Sequence, residues 1–163
     1  EQLYPVMEEA FSGHDPFPEL IADLCRNGFN RRQNYVARNG HKPDLPMDLR
    51  DVGEKIRQAM RMPDPPARKN FMGSPTGRQA LQFLIDTGEV VDVGPELVLG
   101  AMHYNRCRLL VKKHLRKHGQ ATASELRTVM DTTRRIVIPL LEKLDRDGVT
   151  VRQGNARVLR KTH

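Results

Sequence analysis

Tryptophan is absent, and aromatic residues make up only 5% of the 163 positions. A core must then be built mainly from Leu, Val, Ile and Met, which favours small helical modules over one large enzyme cavity. No apolar run approaches the roughly 18 residues that a membrane span needs, and no signal peptide is visible. No membrane partner is expected. Cysteine is scarce too. Cys25 and Cys107 stand far apart in no CxxC pattern, which argues against a disulfide scaffold or a structural zinc site and fits a reducing, cytoplasmic setting. No Ser/His/Asp or Cys/His arrangement has supporting spacing, so no catalytic residue is assigned.

What is present is lysine and arginine, unevenly spread. Residues 1–100 hold 12 Lys/Arg against 15 Asp/Glu, whereas residues 101–163 hold 15 against 5. The whole net charge of +7 therefore comes from the last third. One-sided charge of this kind is the electrostatic footprint of a nucleic-acid contact, because Lys and Arg displace counterions from a phosphate backbone. A merely soluble basic surface is the plain alternative. The length suits one ordinary domain or two or three very small ones. The chain opens on Glu1 rather than Met and is expected to be cut from a larger protein.

Helical spacing is clearest near the end of the chain. AMHYNRCRLLVKKHLRKH (101–118) predicts a helix with Tyr104, Arg108, Val111 and Leu115 on one stripe and Gly119 as a stop. Thr122 or Ser124 can cap a short helix running to Met130. A third helix is expected from Thr133 to Asp147, with Val137, Leu140, Leu141 and Leu144 on its apolar stripe. Asp131, Thr132 or Thr133 can accept from its free amides, and Gly148 ends it. Pro139, inside that pattern, should kink or loosen the helix. Two short runs around Gly154–Asn155 give a hairpin signal.

Three helices followed by a two-stranded ribbon is the order of a winged helix-turn-helix. It recurs upstream. Asp48 to Met60 reads as a first helix, PDPPARKNFMG as a short second element, Ser74–Pro75 as the cap and first residue of a third, and EVVDVGPELVLG as strand, turn, strand. The expected fold class is mainly α with small β-hairpins (α+β), arranged as tandem winged helix-turn-helix modules. Residues 45–100 form one module, read as a spacer, and residues 101–163 another, which carries the expected nucleic-acid contact. Residues 1–44 are read as the remainder of a truncated module plus a proline-stiffened linker from Gly40 to Pro46. LYPVMEEAF and FPELIADLCRNG are its helices, and FNRRQNYVARN is a degraded wing.

The segment TASELRTVMDTTRRIVIPLLEKLDRDGVTVRQGNARVLR (122–160) resembles the last winged-helix module of bacterial selenocysteine-specific elongation factors. FLIDTGEVVDVGPELVLGAMHYNRCRLLVKKHL (83–115) is similar to the junction between the last two modules of the same proteins. The resemblance implies a factor that carries selenocysteinyl-tRNA to the ribosome. Its array of winged helices ends in a module that grips an mRNA hairpin, the selenocysteine insertion element, marking an in-frame UGA. The GTP-binding part is missing, since no GxxxxGK[ST] occurs. GTP is accordingly a cofactor of the parent protein, and none is expected for this chain alone, nor is a metal. A monomer is expected.

The candidate RNA contacts fall in two groups. Thr132, Thr133, Arg134 and Arg135 sit at the expected N-terminus of the third helix, where free amides, hydroxyls and guanidinium forks suit a phosphate or an unstacked base. An ordinary capped helix with solvated arginines is the alternative. Arg152, Gln153, Asn155 and Arg157 lie on or beside the wing, with Arg160 adding charge. Strand alternation puts Arg152 and Gly154 on one face and Gln153 on the other, and for Asn155 turn chemistry explains the residue equally well. His103, Cys107, His114 and His118 share a helical stripe. Residues 103 and 118 nevertheless lie about 22 Å apart along it, too far for one ion. The competing function is a DNA-binding winged-helix regulator, with a protein-only scaffold as a third class.

Overall fold

The computed structural model describes residues 17–32, 35–39 and 44–160. The segment LYPVMEEAF, expected to be a helix, and most of the Gly40–Pro46 linker lie outside them. The chain divides into two compact units, Glu1–Pro43 and Asp44–His163. In the first, α1 (Phe17–Arg26) precedes an antiparallel hairpin, β1 (Phe29–Arg32) and β2 (Tyr35–Arg38), with Phe29 opposite Arg38 and Arg32 opposite Tyr35. No residue of α1 is buried, and Phe17 and Leu20 are exposed.

The second unit opens on Leu45, which is buried. A 3-10 turn at Met47–Leu49 leads into α2 (Arg50–Ala59). Leu49, Gly53, Ile56 and Met60 recur at helical spacing and are all buried. Gly53 is where the helix presses on Leu45: a Cβ there would stand 2.3 Å from Leu45 Cδ1. Leu45, within the expected linker, is thus a core residue that fills the space the glycine vacates, while Asp44 and Pro46 on either side of it are exposed. A second 3-10 turn, Arg68–Phe71, precedes α3 (Pro75–Asp86). Ser74 caps α3, its side chain accepting from the Gly77 amide at 3.0 Å, with Pro75 in the first turn.

Strands β3 (Val90–Gly94) and β4 (Leu97–Gly100) follow as an antiparallel hairpin with a bulge between Asp92 and Gly94. Period-two alternation gives this hairpin two working faces. Val90 and Val98 pack with α2 and α3, whereas Leu97 and Leu99, with Val93 of the bulge, join the core of the next module. The hairpin is a wall shared by two cores.

From Gly100 the chain enters α4 (Ala101–His118) with no intervening linker. Its buried stripe is Tyr104, Cys107, Val111 and Leu115. Arg108, expected on that stripe, is exposed, and Cys107 takes the core position. Then come β5 (Gln120–Thr122), α5 (Ala123–Met130), α6 (Arg134–Arg146), β6 (Thr150–Gln153) and β7 (Ala156–Leu159). Thr122 caps α5 in a reciprocal capping box: its hydroxyl accepts from the Glu125 amide, and the Glu125 carboxylate accepts from the Thr122 amide at 2.7 Å. The Thr122 hydroxyl also donates to that carboxylate, at 2.8 Å, and the bonds from the Thr122 amide and hydroxyl hold the carboxyl below its usual range. α6 runs unbroken through Pro139, which does not end the helix. The ribbon is not a simple hairpin, since β5 pairs with β7 to give a three-stranded sheet in the order β5-β7-β6. The fold is α+β, with six α-helices and small antiparallel sheets among the described residues.

Candidate nucleic-acid interface

Helix α6 has three sides with three different fates. Ile136, Val137, Leu140, Leu141 and Leu144 are buried in the core. Arg135, Pro139 and Arg146 recur at helical spacing on a second side and meet the preceding module. The Arg135 guanidinium donates to the Asp64 carboxylate and to the Pro65 carbonyl. A Cβ at Gly94 would meet Pro139 Cβ at 3.8 Å. Arg146 donates to the Val93 carbonyl at 2.7 Å, taking up the strand position that the bulge displaces. Arg134, Ile138 and Glu142 remain on the third side and are exposed.

The turn into α6 is formed by Asp131, held in the left-handed region at φ 49°, followed by Thr132 and Thr133. Thr133 is the N-cap residue, but its side chain makes no capping hydrogen bond. The cap expected from Asp131, Thr132 or Thr133 is therefore not made by the residue standing in the cap position. Thr132 is half-buried, and its Oγ1 is buried without a hydrogen-bond partner. An uncapped helix end with the exposed Arg134 beside it keeps the positive end of the helix dipole open to an anion.

The wing follows α6 in the chain, as β6 and β7. Gly154 alone takes the positive φ of the turn, +59°, and Asn155 does not. A turn with positive φ only at its first central residue asks for Gly there and makes no demand for Asn at the second. Asn155 is exposed, as are Arg152 and Gln153, and Arg152 Nε donates to the Gly154 carbonyl at 3.1 Å. Arg160 is exposed and lies against Gly148, where a Cβ would stand 3.4 Å from its Nη1.

Arg157 departs from the sequence expectation. It is directly opposite Arg152 in the ladder, yet only 6% exposed. Its Nε donates to Asp145 Oδ2 at 3.0 Å, and Asp145 also accepts from the Thr150 hydroxyl. Asp145, on α6, thus holds both strands of the wing at once. Arg157 is a clamp inside the module, its guanidinium buried against Asp145. Arg135 is exposed, and its guanidinium is turned to the neighbouring module, where it pairs with Asp64. The set that stays outward is Thr133, Arg134, Arg152, Gln153, Asn155 and Arg160.

Sequence reasoning missed Asp145, Asp64 and Arg146. A usable signal existed for the first. A two-residue turn at Gly154–Asn155 puts two arginines face to face, and like charges directly opposite need a carboxylate between or beside them. No local signal marks the other two, which work between modules. Behind the wing, Tyr104 donates to Asp147 Oδ2 at 2.6 Å, and burial, with that bond, pushes the phenol well above its ordinary range. Burial works to raise the Asp147 carboxyl. The bonds from Lys143 and Tyr104 outweigh it, and the group titrates below its usual value.

Comparison with known proteins bears on this module above all. Residues 113–159 match the family model described as elongation factor SelB, winged helix. No curated protein sequence matches the chain. Among solved structures, the mRNA-binding domain of elongation factor SelB from E. coli, determined in complex with SECIS RNA, superimposes with a TM-score of 0.59 at 17% identity. That match covers 72% of this chain and 100% of the other. A bacterial selenocysteine-specific elongation factor, EF-Sec, gives 0.57 at 18% identity, over 90% of this chain but only 24% of its own length. At such identities the structural matches speak for the shared fold, and the family model for the last module. The last module, with its three helices and wing, has a winged-helix fold, and its residues 113–159 match the winged helix of elongation factor SelB.

Proposed function

We propose that this chain binds an mRNA hairpin, the selenocysteine insertion element, through its last winged helix, and does so by binding without catalysis. Thr133 and Arg134 at the open end of α6 take a phosphate or an unstacked base. Arg152, Gln153 and Asn155 on the wing, with Arg160 adding charge, hold the flanking backbone and base edges. The preceding module, residues 45–100, serves as a spacer toward the GTP-binding body of a parent factor, which brings the ribosome and selenocysteinyl-tRNA.

The observation that carries this reading is the cover on α6. A helix that reads a duplex lies in the major groove, which requires an uncovered side along that groove. Here the core takes one side, Arg135, Pro139 and Arg146 are engaged with the preceding module on a second, and the third offers Ile138 and an acidic Glu142. Only the tip of the helix and the wing are left to a ligand. A protruding loop or bulge base suits those two short pieces, and a straight duplex does not.

Three probes titrated against the whole chain test the proposal: an RNA hairpin with an unpaired base, the same hairpin without it, and duplex DNA. The first is expected to bind tightest. Arg134→Ala should weaken it on the order of tenfold, the effect of losing one good contact. Equal affinity for all three probes, or an Arg134→Ala variant indistinguishable from the parent chain, would refute it.

A further inference from the structure

The outer face of α4 plays no part in the hairpin contact, and its composition is unusual. The helix carries Arg106, Arg108, Lys112, Lys113, Arg116 and Lys117 and no acidic residue. Opposite its buried stripe, Met102, Arg106, Leu109, Lys113, Arg116 and Lys117 recur at helical spacing, and all six are exposed, Met102 by 89% and Leu109 by 68%. None of the four cations on that line makes an ion pair among the described residues. Helix electrostatics explains only part of this. Arg116 and Lys117 sit in the last turn, where the dipole favours cations. Arg106 lies in the second turn, where it does not. Lys112 with Arg116 and Lys113 with Lys117 are like-charge pairs four residues apart, an arrangement that weakens a helix by itself. A polyanion laid along the face would reverse all of these penalties.

We infer that the outer face of α4 is a second nucleic-acid surface, which grips the phosphates of an RNA double helix without reading its sequence. The line from Arg106 to Lys117 is about 16 Å long at 1.5 Å per residue. A duplex presents a phosphate roughly every 2 Å of its axis, so such a line finds partners in any register. A membrane surface is disfavoured because the stripe has no aromatic residue and its two apolar side chains are interrupted by cations. The core lies between this face and α6, so the surface faces away from the hairpin site and can act on a separate RNA helix. The reading of the last module as an RNA binder enters only in choosing RNA over DNA.

The test uses the full 163-residue chain and a blunt 20-base-pair RNA duplex lacking any loop or bulge. The triple variant Arg106→Gln/Lys113→Gln/Lys117→Gln should lose at least about tenfold in duplex affinity at low salt. Its log–log salt slope should fall by about 2 to 3. Its melting temperature should be no lower than that of the parent chain, because all three residues are exposed, Gln is a good helix former and the Lys113–Lys117 repulsion is removed. A second variant, Arg134→Ala/Arg152→Ala, should keep duplex affinity within about twofold while losing the bulged hairpin. Unchanged duplex affinity in the triple variant, no duplex binding by the parent chain, or an equal loss in the second variant would overturn the inference. So would binding to vesicles of 30% phosphatidylserine in place of the duplex. If the hairpin fails to bind while the duplex result stands, the hairpin reading falls and the α4 surface survives.

Discussion

Replacing Arg157 separates a structural role from a binding role more sharply than any other change in this chain. Its side chain is 7% exposed and its partner Asp145 23%, so the pair is close to fully desolvated at one end and partly wet at the other. Arg157→Met keeps the apolar stem and removes the guanidinium. Stranding one partner of a buried pair costs about 3–5 kcal/mol. Asp145 keeps some water and the Thr150 hydroxyl, which brings the expected loss down to about 2–3 kcal/mol. For a unit of this size that lowers the melting temperature by roughly 6–15 °C.

The double variant Asp145→Asn/Arg157→Met leaves no orphaned charge and keeps an acceptor for Thr150. It should recover at least about 1 kcal/mol of the loss, a coupling that a thermodynamic cycle reads directly. Hairpin binding measured well below the melting transition should retain its salt slope, because the guanidinium never faced the ligand. The reverse pattern would refute the reasoning: a melting temperature within a degree of the parent chain together with a tenfold loss of hairpin affinity.

Three further outcomes follow from the same geometry. Leu45→Ala should cost about 2–4 kcal/mol by opening a cavity against Gly53, seen as an earlier thermal transition; a neutral result would mean that residues 44–46 are a linker after all. Arg135→Ala should cost no more than about 1 kcal/mol in denaturant titration, because both it and Asp64 are well exposed. The Glu89 carboxyl is lowered from its ordinary 4.5, chiefly by the hydrogen bonds of Arg57. A depressed folded-state value means that the unfolded chain binds the proton first, so this contribution is whole above pH 4.5 and fades as pH falls below it. Melting temperatures from pH 6 to pH 3 should therefore drop less steeply in Arg57→Gln than in the parent chain.

The parts of this fold that could be read from residues are those whose cause is local. α4 begins at Ala101 and ends at His118 because apolar spacing and Gly119 mark both limits within a few residues. Ser74 with Pro75, and Gly154 in the wing, signal themselves in the same way. What stayed hidden depends on pairing across distance. β5 is three residues long, and its pairing with β7, more than thirty residues away, makes it a strand. Leu45 looks like part of a proline-rich linker until Gly53 is placed opposite it. At the candidate interface, Arg134, Arg152 and Gln153 could be singled out because exposed charge and amides at a helix tip and a wing need no partner to be recognised. Arg157 could not be told from Arg152 by composition, since the difference between them is a carboxylate contributed by another element.

The partition of α6 also constrains how specificity can arise. The tip of α6 and the wing are two short groups on different elements, and such groups hold a folded RNA only if their separation is constant. Two devices fix it. Asp145 ties Thr150 and Arg157 to the far end of the helix, and the hairpin β3–β4 is packed on both faces, so α6 cannot roll without exposing Val93, Leu97 and Leu99. Rigid spacing of this kind selects the shape of a ligand, whereas the unpaired cations of α4 supply attraction without discrimination. The charge excess of the last third thus divides into two physically different jobs. A few guanidinium groups are immobilised in ion pairs to set the geometry, and a larger number is left in solvent to raise the local concentration of a polyanion.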